Sequence, residues 1–144
     1  MPRRALLDTN VLVSGLIGRA GSPPRLLNTW LDGRYILVIS LYQVQELNHV
    51  PSYPRIAERL TLSGAELDTI LAAMLSQAKV GVAQLELPGV TRDPKDDPVM
   101  GAAVLGNVNY LVSGDEDLLV LEECEWAKIV TPREFVEILE PDME

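Results

Sequence analysis

Short apolar runs in this chain repeatedly end on residues that start helices. RRALL (residues 3–7) gives way to Asp8, YILVI (35–39) to Ser40, NYLVS (109–113) to Gly114 and Asp115, and AKIV (127–130) to Thr131 and Pro132. Each run is too short for a helix and too continuously apolar for a strand with one wet face, so each reads as a strand buried on both sides. Such strands alternating with helices imply an α/β chain: an α/β/α sandwich around a central, mostly parallel sheet. At 144 residues the chain, residues 1–144, is a one-domain length that buries about two thirds of its unfolded surface and needs no covalent staples.

The segments between the strands carry helix punctuation. Val11, Leu12 and Leu16 fit helical spacing over about 10–17. Ser22 with Pro23 and Pro24 opens a second helix, whose Leu26, Leu27, Trp30 and Leu31 form an apolar stripe closing at Gly33. Ser40 with Gln43 makes a capping box for SLYQVQELNHV, where Leu41, Val44 and Leu47 repeat and Glu46 is carried along. Ser63 with Glu66 makes another, for a helix of Leu67, Ile70, Leu71, Met74 and Leu75, after a short helical piece IAERL (56–60). KVGVAQLEL (79–87) is β-like. Asp97 followed by Pro98 is an N-cap with proline at the first helical position, opening the small-residue helix VMGAAVLG. Thr131, Pro132 and Glu134 cap the last helix, REFVEIL.

Composition removes several function classes. The lone Cys124 and lone His49 exclude a disulfide framework, a Cys/His zinc cluster and a Ser-His-Asp triad. Cysteine usage fits a reducing cytoplasm, and the sequence shows neither an obvious export signal nor the run of about 18 apolar residues that spans a membrane. A net charge of −9 argues at first against a nucleic-acid partner, because phosphate contacts dominate that affinity. The distribution changes this: residues 1–92 carry nine Lys/Arg against seven Asp/Glu, whereas residues 93–144 carry three against fourteen. An acidic third on a mildly basic remainder fits either a solvated face or a cation site beside a polyanion-tolerant surface.

Each notable acid has an ordinary explanation. Asp97 is an N-cap, Asp8 a cap of the first helix with Thr9 as substitute, Glu46 a solvated helix residue, and Asp115 and Asp117 turn acids in GDED. Convergence makes the difference. In parallel sheets function collects at the carboxyl ends of the strands, and Asp8 and Asp115 both follow a strand while Asp97 starts a helix. Two carboxylates about 4 Å apart repel by roughly 4 kcal/mol at an effective dielectric near 20, so clustered acids take up protons or bind a cation. Oxygen ligands without histidine or cysteine select a hard ion, Mg2+ or Mn2+.

On LLDTNVLVSGLI, DGRYILVISLYQVQEL, DPKDDPVMGAAVLGNVNYLVSGDEDLL and IVTPREFVEIL, the chain resembles the PIN domain family, in particular its VapC-type toxins of toxin–antitoxin pairs. The specific pieces are the strand ending in Asp-Thr-Asn and the aspartate followed eighteen residues later by another at a strand end, a register that favours Asp97 over Asp96. The resemblance implies a PIN-like fold and an acidic quartet, Asp8, Glu46, Asp97 and Asp115, that binds one or two Mg2+ or Mn2+ ions. It gives Asp117 an outer role at the metal and sets Asn10 and Ser113 beside the quartet as hydrogen-bonding support. It also implies a metal-dependent ribonuclease, a cognate antitoxin and a homodimer. RNA backbone contacts fall to the basic part, where Arg19 and Arg25 flank a glycine and proline loop; both also read as solvated surface charges. His49 reads as a packing or surface residue.

Other readings compete. Haloacid-dehalogenase phosphatases need a second aspartate two residues after the first, where Asn10 stands, and receiver domains need a lysine after a late strand, which NYLVSGDED lacks. A PIN-fold binding or dimerisation protein with little activity is the alternative from a different class.

Overall fold

Ala5, Leu6 and Leu7 are all fully buried although successive strand side chains point to opposite faces, so their strand, β1 (Arg4–Leu7), is covered on both sides. The computed structural model, which describes residues 3–18, 20–49, 64–77, 79–81, 107–124 and 126–143, sets β1 inside a six-stranded sheet. The other strands are β2 (Ile36–Ser40), β3 (Lys79–Gly81), β4 (Tyr110–Val112), β5 (Glu123–Cys124) and β6 (Ala127–Val130). Their order is β3-β2-β1-β4-β6-β5, with every pairing parallel except the β5–β6 edge.

Register divides the core into two. Leu6 pairs with Val38 and with Leu111, and Leu111 with Ile129, so these four form one row on one face, where Val108 and Leu118 join them. The next row, Leu7, Val112 and Val130, points the other way into the larger cluster. That face carries α1 (Thr9–Ile17), α2 (Ser22–Leu31), α3 (Leu41–Asn48), α4 (Gly64–Gln77) and α6 (Pro132–Leu139), through residues such as Leu12, Trp30, Leu47, Met74 and Phe135. Gly15 lets α1 approach α2 closely, since a Cβ there would lie 2.7 Å from Leu27 Cδ1.

The expected α/β class, the parallel sheet and both fully described capping boxes hold. Ser40 and Gln43 exchange reciprocal bonds of 3.0 and 3.1 Å, as do Thr131 and Glu134. Four details differ. Tyr35 precedes β2 rather than joining it, because its hydroxyl donates to the Leu26 carbonyl at 2.8 Å and its ring meets Phe135 edge-on. Leu31 is 47% exposed: α2 stops there, at Asp32 and Gly33 with φ +79, so Leu31 lies on the outer side of a last turn whose Trp30 is buried. GDED is not a simple turn but the start of a one-turn helix, α5 (Glu116–Leu119). The tight β5–β6 return went unread because two residues carry no period. IAERL, Ser63, residues 82–87 and the helix expected after Asp97 lie outside the described residues. No helix among the described residues is long and apolar enough to cross a membrane.

Candidate active site

The chain leaves β1 toward β2 and β3 on one side, then returns on the other side of β1 as β4. That reversal opens a crevice beyond the carboxyl ends of β1 and β4, where parallel sheets bind ligands. Asp8 is the first residue past β1, and its N–H closes the ladder on the Val112 carbonyl at 2.9 Å. Ser113 is the first past β4, and its N–H bonds the Val130 carbonyl at 2.9 Å. Both side chains therefore start from fixed backbone at one sheet edge.

Asp8 caps α1 with its backbone alone. Its carbonyl accepts from Val11 and Leu12 at 2.9 and 3.1 Å, whereas its carboxylate makes no capping bond to the helix. Asp8 is thus the N-cap of α1, as its position suggests, through its backbone rather than its side chain. The carboxylate turns to the neighbouring strand, where Oδ2 accepts from the buried Ser113 hydroxyl at 2.9 Å. Ser113 Oγ in turn accepts from the Asp115 N–H at 3.0 Å, and Asp115 Oδ1 accepts from the Asp117 N–H at 2.9 Å, capping α5. One relay thus runs Asp8, Ser113, Asp115, Asp117. Ser113 stands in contact with the quartet residue it was expected to support.

Burial raises the Asp8 pKa above the ordinary aspartate value, against the lowering effect of the Ser113 hydroxyl and the Thr9 N–H. The charges of Asp115 and Glu46 raise it further. Glu46 comes from α3, so the charges of two acids from other elements reach Asp8 at this edge. Their reach is electrostatic: among the described residues no three His, Cys, Asp or Glu side chains close tightly enough to enclose an ion by themselves. Asp97 and Arg19 lie outside the described residues. The donor set fits a hard divalent cation, since it consists of carboxylate oxygens, and a cation would offset the charge that Asp8 holds under strain of burial.

Gln43, a capping residue by its sequence position, also reaches the neighbouring strand. Fully buried, its Oε1 accepts from the Ser40 N–H while its Nε2 donates to the Leu7 carbonyl at 2.7 Å. It ties the start of the Glu46 helix to the residue before Asp8. The available signal was its amide: glutamate caps equally well but has no N–H to donate.

A cleft of about 400 Å³ adjoins the acids, lined by Asn10, Val11, Ser14, Pro23, Gly114, Asp115 and Pro132. Asn10 thus faces the site from α1. Arg25 lies at the exposed surface in an ion pair with Glu140 at 3.3 Å, and exposed His49 ends α3 with its N–H on the Glu46 carbonyl.

Asp8, Ser113 and Asp115 meet at the switch point of a parallel α/β sheet, the place where such sheets bind ligands. A family model described as PIN domain matches residues 4–117, and the chain belongs to that family. PIN domains are generally metal-dependent nucleases that use divalent ions. No curated protein matches the chain.

Proposed function

We propose that the chain is a Mg2+- or Mn2+-dependent endoribonuclease of the VapC type, the toxin of a toxin–antitoxin pair, acting on RNA in the cytoplasm as a homodimer. The observation that supports this best is Asp8, a residue 6% exposed whose carboxylate makes no side-chain capping bond to α1 and is bonded through Ser113 to the Asp115 loop. An acid kept in such a place beside two others has its natural counterpart in a divalent cation. Asp8, Glu46, Asp97 and Asp115 would hold one or two ions, with Asp117 orienting from α5. Bound there, the ion supplies charge neutralisation on the phosphate and a lowered pKa for water.

The chain's own residues do the rest. Ser113 holds Asp8 in one rotamer and keeps one of its oxygens engaged. Gln43 fixes the distance between the strand carrying Asp8 and the helix carrying Glu46. Arg25 and Arg19 offer charge to the RNA backbone, and the exposed Arg25–Glu140 pair exchanges for phosphate at little cost, since such pairs are worth about 0–1 kcal/mol.

The test is cleavage of a mixed RNA substrate with Mg2+ or Mn2+, against Asp8→Asn and against EDTA. Wild-type products ending in 5′-phosphate and 3′-hydroxyl, absent from both controls, are expected. Cleavage that survives both controls overturns the reading. Mn2+ binding without cleavage assigns the chain instead to a PIN-fold binding role. A small DNA-binding-like reading frame directly upstream, whose product suppresses the cleavage, would supply the antitoxin.

A further inference from the structure

Glycine is used for three reasons: a backbone conformation other residues avoid, a neighbour too close for a Cβ, or a ligand that comes close to the backbone. The first explains Gly21 and Gly33, with φ of +99 and +79. The second explains Gly15 and Gly18, where a Cβ would lie 2.7 Å from Leu27 Cδ1 and 2.8 Å from the Ser14 carbonyl. Among the described residues Gly114 has neither reason: its φ is not positive, and none of them lies within 4 Å of a Cβ built on it. It lies between Ser113 and Asp115 in the relay, and it lines the cleft beside the acids.

We infer that this cleft seats the ribonucleotide next to the scissile phosphate, and that Gly114 is bare so that the nucleotide can lie against the backbone there. The inference rests on the nuclease reading and adds where the substrate sits. The cleft continues directly from the acidic edge, because Asp115 belongs to both. Its volume of about 400 Å³ falls in the range that holds one small ligand unit rather than a folded partner. The half-buried rings of Pro23 and Pro132 offer apolar surface to a base, and the exposed Asn10 and Ser14 offer an amide and a hydroxyl for hydrogen bonds to its edge or to the ribose. That mixture suits one unstacked nucleotide of a single strand.

The experiment compares wild type with Gly114→Ala, Gly114→Leu and Ser14→Leu. Thermal melting, Mn2+ affinity by calorimetry, anisotropy of a fluorescent single-stranded oligoribonucleotide with Ca2+, and cleavage of the same oligonucleotide with Mn2+ are read in parallel. Melting and Mn2+ affinity should stay near wild type for all three, while oligonucleotide affinity and cleavage fall about tenfold or more in the two leucine variants and less in Gly114→Ala. Unchanged oligonucleotide affinity and cleavage in the leucine variants overturn the inference and leave the nuclease reading intact. A parallel loss of Mn2+ affinity also overturns it, because the added side chain would then be disturbing Asp115. Wild type that neither cleaves nor binds the oligonucleotide ends both.

Discussion

The Ser113 hydroxyl proton turns the Asp8 carboxylate toward the neighbouring strand. Ser113 gives that proton to Asp8 and accepts the Asp115 N–H on the same oxygen, so Ser113→Ala leaves a buried acceptor and a half-buried donor unmatched. The expected loss of stability is about 1–3 kcal/mol, measured by urea unfolding. The same change removes an interaction that lowers the Asp8 pKa, so the carboxyl should titrate higher still, observable by carboxyl-carbon NMR in the absence of metal. An unmoved Asp8 titration would mean that the hydroxyl does not hold the carboxylate in solution. Sequence reached these residues unevenly. Asp8 and Asp115 were legible because each follows an apolar run, a position that topology turns into one edge. The use of Asp8 was hidden, because a residue before a helix has a sufficient explanation as a cap. Gln43 was hidden for the same reason. Asp97 rests on its Asp-Pro helix start and its register with Asp115, and lies outside the described residues.

At the scale of elements, the two fully described capping boxes look alike in sequence and differ in consequence. Thr131 and Glu134 close the exposed start of α6, so Thr131→Ala should cost about 1 kcal/mol, as caps usually do. Gln43 also satisfies the Leu7 carbonyl inside the protein, and Gln43→Ala strands that acceptor and the Ser40 N–H together. Its expected cost is about 2–4 kcal/mol by urea unfolding, since each orphaned buried group costs about 1–3. Gln43→Glu separates the two roles: it can cap α3 yet cannot donate to Leu7, and it buries a charge. If Gln43→Glu melts like wild type, the strand-to-helix tie is not holding the site. Elements with a period or a cap were readable in advance, which covers β1, β2, β4, β6 and helices α1, α2, α3, α4 and α6. α5 and β5 were not, since one turn and two residues are shorter than any hydrophobic repeat. Their existence depends on Asp115 capping one turn and on β6 supplying a partner.

For the whole molecule, the acidic edge makes stability depend on pH and on cations in a linked way. Folded Asp8 titrates above its unfolded value, so the native state retains a proton that the unfolded chain has released. Stability in EDTA should therefore fall as pH rises from the ordinary aspartate range through the raised Asp8 pKa, and level off above it. Asp8→Asn should remove that slope and melt higher than wild type in EDTA at neutral pH. A divalent cation that binds only the folded chain works in the opposite direction: at a hundredfold excess over Kd it adds about 2.7 kcal/mol. For a chain of this size that corresponds to a rise of about 5–10 °C in Tm. Mn2+ should produce this shift in wild type and almost none in Asp8→Asn. The net charge of −9 offers a rival cause, because any salt relieves repulsion within the acidic third. The two separate by ionic strength, since at about 0.15 M salt charges more than about 8 Å apart at the surface are already screened, whereas a coordinated ion is not displaced by Na+. A Tm rise with millimolar Mn2+ that persists in such NaCl locates the effect at the site. If NaCl alone reproduces it, the acids at the β1–β4 edge are a solvated face and the metal-site assignment fails.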